Sequence, residues 1–300
     1  RFGLILDPRS KAERGDRLAE GSPHPPVRKA ARPRYEAPAT AAAAHAAVVD
    51  ECLAQITRNA IGLAEGDPAL QTEHVHQLRV GIRRLRSALR SFSGWVPAPP
   101  PPLVEGLRTL FATLGQARDS DVLDTGVVAE LAKVGAPALN LPAAADAPDP
   151  VAAIRSGETQ ALLLAWIAWR TSLDEAPPAE PGPACAPPVD AKAFVRRAER
   201  RLRRWHKAIA TDAERFGDLD EPQLHALRKR IKRQRYAAEF LAPVMARRAT
   251  ERYLAALATI QDRMGELNDL FVARQRYQAL VAHEPMAWFA LGWLAARIAE

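Results

Sequence analysis

Cysteine is almost missing from this chain. Cys52 and Cys185 are the only two in 300 residues, far apart and outside any C-x-x-C pattern or set of spaced histidines. That leaves no disulfide framework and no thiolate zinc site, and it suits a reducing cytoplasm. Aromatic residues make up 6% and do not interleave with the basic ones, whereas single-strand nucleic-acid binders place stacking rings beside the charge. Long apolar runs are also lacking. ALLLAWIAW (161–169) and MAWFALGWLAARIA (286–299) fall short of the roughly 20 residues a bilayer span needs, so they read as buried helices and no membrane partner is expected. Neither cysteine neighbours a candidate base, and there is no G-x-S-x-G motif, phosphate-cradling glycine loop, helix-turn-helix or RNA-module signature. No catalytic residue, cofactor or metal is therefore predicted.

What is present is apolar mass and clustered charge. Hydrophobic residues make up 48%, enough for a sizeable core. Lys plus Arg number 42 against 35 Asp plus Glu, a net +7, and the excess sits in a few dense blocks. Such a footprint points to a polyanionic partner. Residue 1 is Arg and its neighbours carry no signal-peptide pattern, so a truncated or processed chain is expected. Residues 1–40 are rich in Pro, Arg and Gly, with one short candidate strand, FGLIL, before a polar turn.

From Ala41 the pattern is helical throughout, with Ala, Leu and Arg abundant and apolar residues three and four apart. Proline-rich stretches at 96–102, 135–150 and 177–188 end helices because proline lacks the amide donor. Helices are expected at about 41–64, 73–94, 103–117, 119–133 and 151–175, then at about 190–215, 222–246, 249–266, 267–283 and 286–299. The two series look like copies. His76, Leu78, Arg79, Ile82, Arg84 and Arg86 match His225, Leu227, Arg228, Ile231, Arg233 and Arg235 at a lag of 225 − 76 = 149. Gly115 and Asp119 match Gly265 and Asp269 at 150. Two matches at nearly one lag argue for duplication. The expected fold class is all-α: two duplicated antiparallel helical bundles, residues 41–176 and 190–300, related by a pseudo-two-fold and joined by a linker at 177–189.

The basic blocks carry the functional signal. In HVHQLRVGIRRLRSALRSF (74–92), His76, Arg79, Arg83, Arg86 and Arg90 fall within roughly 80° of arc on one helix face. Leu78, Ile82, Leu85 and Leu89 supply an adjoining face to bury. The second copy repeats this with His225, Arg228, Lys232 and Arg235, flanked by Lys229 and Arg233. A third block, FVRRAERRLRRWHK (194–207), adds Arg197, Arg201 and Arg204 among its two stripes, opposed only by Glu199. Like charges one turn apart are mildly destabilising, so three such clusters ask for a compensating ligand. Arginine forks suit phosphate oxygens, and a row from His76 to Arg90 is about 21 Å long, room for a polymer of phosphates rather than one.

Other candidates are weaker. His74 and His76 point roughly 200° apart on a helix, which disfavours a shared metal ion. Asp119, Asp121 and Asp124 suit a helix cap better than Mg²⁺, and Asn268–Asp269 likewise suits a helix junction. Trp166, Trp169, Trp288 and Trp293 read as core or inter-bundle contacts.

The paired HQLRVGIRRLRSAL and LHALRKRIKRQRYAAEF, each followed by LGQARDSDVL or MGELNDLF, resemble the CHAD family, the conserved histidine α-helical domain, over residues 41–300. The resemblance implies an all-helical fold of two similar bundles around a basic groove or pore that binds inorganic polyphosphate. It implies that His76, Arg79, Arg83, Arg84, Arg86 and Arg90 line the groove from one half, and His225, Arg228, Lys229, Lys232, Arg233 and Arg235 from the other. Glu239 stands where Arg90 would be, which implies a less basic end. Near the start, LDPRSKAERGDRLAEG (6–21) resembles the end of a CYTH triphosphate-tunnel domain, implying that residues 1–40 are a remnant plus linker and that a CYTH domain, covalent or separate, is a partner. Its E-x-E-x-K signature does not occur here. The expected protein is a non-enzymatic cytoplasmic polyphosphate binder, associated with polyphosphate granules. The alternatives are part of a CYTH–CHAD hydrolase or a nucleic-acid-binding helical module.

Overall fold

The computed structural model describes residues 3–22, 24–118, 127–137, 139, 148–175 and 190–299. Among them the structure is all-α, without strands. In chain order the described helices are α1 (Lys11–Ala19), α2 (Ala41–Glu65), α3 (Gln71–Phe92), α4 (Pro101–Arg118), α5 (Val127–Lys133), α6 (Pro150–Arg155), α7 (Gly157–Glu175), α8 (Ala191–Ala213), α9 (Glu221–Leu241), α10 (Arg247–Leu280) and α11 (Ala287–Ala299). The strand expected at FGLIL does not form at its described residues, 3–6. Residues 3–9 are irregular, with the Leu6 amide donating to Gln160 Oε1 at 2.7 Å.

Three other expectations are corrected. The helix expected at 151–175 breaks at Ser156, whose extended backbone lets its hydroxyl accept from the Thr159 amide and cap α7. The helix expected at 222–246 ends at Leu241, before a 3₁₀ turn containing Pro243, because proline cannot extend the hydrogen-bond ladder. The junction expected at Asn268–Asp269 is absent, since α10 runs unbroken through both. The Asn268 side chain bonds His225 instead of capping a backbone, and no proline interrupts the run.

The chain divides into two compact units: residues 1–118, 148–201 and 236–247, and residues 119–147, 202–235 and 248–300. In the first, α2 and α3 pack along each other and α4, α6 and α7 close the bundle. Its core includes Ile56, Ile61, Leu78, Ile82, Leu85, Leu107, Leu114, Trp166, Phe194 and Phe240, each under 2% exposed. Burial of each such side chain stabilises the fold by about 1.5–3 kcal/mol. Close approach needs small residues: a Cβ at Gly81 would meet Ile56 at 2.9 Å.

Residues 4–40 belong to this unit rather than forming a free linker. Glu13 pairs with Arg58, Arg28 with Glu51, and the Tyr35 hydroxyl donates to the Phe240 carbonyl at 2.7 Å. In the second unit, Ile209 of α8, Leu224, Leu227 and Ile231 of α9, and Leu257 and Met264 of α10 form one cluster. α5, the end of α10 and α11 form another, centred on Tyr277, Leu291 and Leu294. Trp166 is buried as expected, with Trp169 edge-on at 5.3 Å. Trp288 is 65% exposed, and so is not core. Its neighbours on α11, Ala287 and Leu291, take the buried face instead.

Candidate functional site

The first basic face is built on α3. Asp67 caps the turn that precedes it, Glu73 sits in its first turn and Arg90 in its last, a charge order that suits the helix dipole. Val75, Leu78, Ile82, Leu85, Ala88 and Phe92 are buried, leaving His76, Arg79, Arg83 and Arg86 half-buried at the margin and Arg90 exposed. The charges are not simply solvated. The guanidiniums of Arg79, Arg83 and Arg86 lie 4.5, 5.7 and 5.7 Å from the centroid of the Phe111 ring on α4, and Arg79 Nη1 donates to the Phe111 carbonyl at 3.3 Å. Gly115, one turn on, leaves the space Arg79 fills: a Cβ there would stand 2.4 Å from Nη1. Each cation–π contact gives about 0.5–2 kcal/mol and holds like charges together on one ring. Arg86 is held below the usual arginine value, first by burial and then by Arg90, Arg108 and Arg83, with Glu105 opposing. Arg83, Arg86 and Arg90 have no carboxylate within ion-pair distance among the described residues.

Two basic residues expected at the site do other work. Arg84 is 1% exposed. Its Nη1 donates to Glu239 Oε1 at 2.5 Å and its Nη2 to the Ala31 carbonyl at 2.7 Å, and its guanidinium lies 5.9 and 5.3 Å from the ring centroids of Tyr236 and Phe240. Burial works against its charge, but Glu239, Cys52 and Tyr236 together hold it above the ordinary arginine value. It is structural, as is Glu239, because the single-residue step from Arg83 turns the side chain into the core. Arg201 donates to the carbonyls of Ser91 and Ser93 at 2.7 and 3.0 Å, its guanidinium 4.0 Å over Trp95. It satisfies carbonyls that the end of α3 leaves open.

His74 is fully buried, Nδ1 lying 3.1 Å from Asn59 Oδ1, in space left by Gly62. Burial lowers its pKa, with the Pro25 backbone and Glu73 acting the other way. His76 remains at the half-buried margin.

On α9 the second face takes a different form. His225 is exposed, its Nδ1 3.1 Å from Asn268 Oδ1 on α10. With Arg228, Met264 and Phe271 they enclose about 10 Å³, room for one water. Gln261 stands where the lag of 150 puts the counterpart of Phe111, and Arg235 Nε donates to its Oε1 at 2.8 Å. Arg233 lies 5.0 Å over Trp205. Lys229 is exposed, and Arg228 and Lys232 are half-buried. On α8, Arg197 is half-buried and Arg204 exposed. The Asp119, Asp121 and Asp124 cluster lies outside the described residues, as does Cys185.

Sequence reading missed Phe111, Arg108, Asn268, Gln261 and Trp205. The one available signal was helical spacing on α4, which places Arg108, Phe111 and Gly115 along one face.

The comparisons agree on one family. The CHAD domain model matches residues 47–278. A crystal structure of the CHAD domain from the plant Ricinus communis superimposes with a TM-score of 0.69 at 31% identity, covering 91% of this chain and 92% of that one. No curated protein matches, and the likeness of residues 6–21 to a CYTH end has no counterpart in these matches. Arginine-rich helices at the two repeated positions, an all-helical fold and a neighbour aligned over nearly its whole length lead to one conclusion: this chain belongs to the CHAD family.

Proposed function

We propose that the chain binds inorganic polyphosphate, without catalysis, through the cationic faces of α3 and α9, and that it thereby associates with polyphosphate granules. One observation carries the reading: Arg83, Arg86 and Arg90 form a row on α3 with no carboxylate within ion-pair distance among the described residues. Such a row is destabilising until an anion arrives. A chain of phosphates, one charge or more per unit, matches it along its length, and arginine forks take phosphate oxygens bidentately. His76 and Arg79 continue the row on α3; His225, Arg228, Lys229 and Lys232 supply the second face, and Arg197 and Arg204 the third. Arg84 and Arg201 are excluded, being spent on internal contacts.

Calorimetric titration with long-chain polyphosphate, beside single-stranded DNA of equal charge, tests this. Affinity should fall by about two orders of magnitude or more between about 50 and 200 mM salt, as released counterions dictate. The double variant Arg83→Ala, Lys229→Ala should bind at least about tenfold more weakly, while Mg²⁺ should elicit no phosphate release. DNA binding as tight as polyphosphate, or a flat salt response, would overturn the reading.

A further inference from the structure

Where α3 ends, the first unit holds an open pocket of about 290 Å³ lined by His45 of α2, Arg86, Leu89 and Arg90 of α3, the Ser93–Pro99 turn, and Val104 and Arg108 of α4. Three arginines line one small volume, and the carboxylate paired with one of them, Glu105 with Arg108 at 2.9 Å, is itself largely exposed. The remaining walls are apolar: Leu89, Val96, Pro97, Pro99 and Val104. On the α2 side lies His45, 2% exposed, wedged between the rings of Phe92 at 5.2 Å and Trp169 at 6.0 Å. Its Nε2 is buried without a hydrogen-bond partner, and a buried polar atom left unpaired is costly unless something fills the need. Burial, and then Arg170, push its pKa down to about 4, so at neutral pH it offers a neutral ring nitrogen.

We propose that this pocket binds a small organic phosphate of mononucleotide size, with its phosphate on Arg86, Arg90 and Arg108, a flat body against Leu89, Val96 and Val104, and a heteroatom paired with His45 Nε2. A bare phosphate chain would use the arginines but leave the apolar walls and the neutral histidine idle. Small-ligand sites have the opposite make-up, mostly apolar with a few placed polar groups, from about 300 Å³ upward. The carbonyl end of α3 would repel an anion, but Arg201 covers the Ser91 and Ser93 carbonyls. The first turn of α4 opens on Pro101 and Pro102, which carry no amide donors, so side chains must hold the phosphate. The inference shares Arg86 and Arg90 with the polymer reading but does not depend on it.

The test is titration of the intact chain with AMP, inorganic phosphate and adenosine, separately from the polyphosphate titration. AMP should bind saturably and at least about tenfold more tightly than phosphate or adenosine alone, since both halves of the pocket contribute. Arg108→Ala should weaken AMP roughly tenfold to a hundredfold; its side chain is 53% exposed, and an unchanged melting temperature would show that the variant is folded. His45→Gln, which keeps a polar group, should weaken it less than His45→Phe. AMP binding no tighter than phosphate, or untouched by Arg108→Ala, would overturn the proposal. Polyphosphate binding without AMP binding would sink this inference alone, and the converse would sink only the polymer reading.

Discussion

Charge has two fates in this protein, and a single residue step along one helix separates them. Arg83 and Arg84 are adjacent, yet one faces the Phe111 ring at the margin and the other is 1% exposed beside Glu239. A buried ion pair is worth little compared with apolar packing, but removing one partner leaves an uncompensated charge. Arg84→Ala should therefore cost about 3–5 kcal/mol in urea denaturation, while Arg84→Met with Glu239→Leu should cost markedly less. At temperatures where Arg84→Ala stays folded, its polyphosphate affinity should match wild type; a loss comparable to that of Arg83→Ala would put Arg84 back among the ligand contacts. Cys52 lies in the same region, and burial pushes its thiol up to about 12, with Arg84 opposing. It is a small packing residue with no reactive thiolate at neutral pH.

At the scale of elements, glycines decide how near helices come. Gly62 on α2 faces His74 on α3, and a Cβ would fall 2.1 Å from the imidazole Cε1. The ring cannot easily retreat, being held by Asn59, which also bonds the Arg28 backbone. A Cβ at Gly265 in the middle of α10 would meet nothing within 4 Å. Alanine is favoured over glycine by up to about 1 kcal/mol inside a helix, whereas forced overpacking costs about 1–3 kcal/mol. Gly62→Ala should thus lower the unfolding midpoint and Gly265→Ala raise it. Equal shifts of one sign would mean that the α2–α3 contact is looser than it stands here. The same close approach was invisible in sequence, because a glycine pattern does not say which side chain faces it. Helix existence was legible from apolar spacing, but the Ser156 break and the unbroken α10 were not. The Ser156 break rests on a local cap at the Thr159 amide, which one serine in an apolar stretch does not announce, and Asn268 is taken up by His225 of another helix.

For the whole molecule, stability should depend on acidity. His45 is buried and neutral, with a pKa pushed down to about 4 by burial and then Arg170, from an ordinary value of 6.5. Between those values the unfolded chain binds a proton that the folded chain refuses, so stability falls as pH drops. His74, lowered chiefly by burial, acts in the same direction. Urea unfolding should show a loss of about 2 kcal/mol from His45 on passing from pH 7.5 to pH 5, and His45→Phe should flatten the slope. A profile level across that range would mean that His45 opens to solvent before the molecule unfolds.

The sequence by itself determined the fold class and the helical register of the basic rows, because both are local: they follow from spacing along one chain. It could not separate guanidiniums that face solvent from those that hold the core, since that depends on what packs opposite. Arg84 meets Glu239, Arg201 meets the end of α3, and residues 4–40 dock on the first unit through Arg28 and Tyr35. Only tertiary structure could make those assignments. A buried charge persists only where a partner from a distant stretch satisfies it, and it was the fold that brought His45, Arg90 and Arg108 to one pocket.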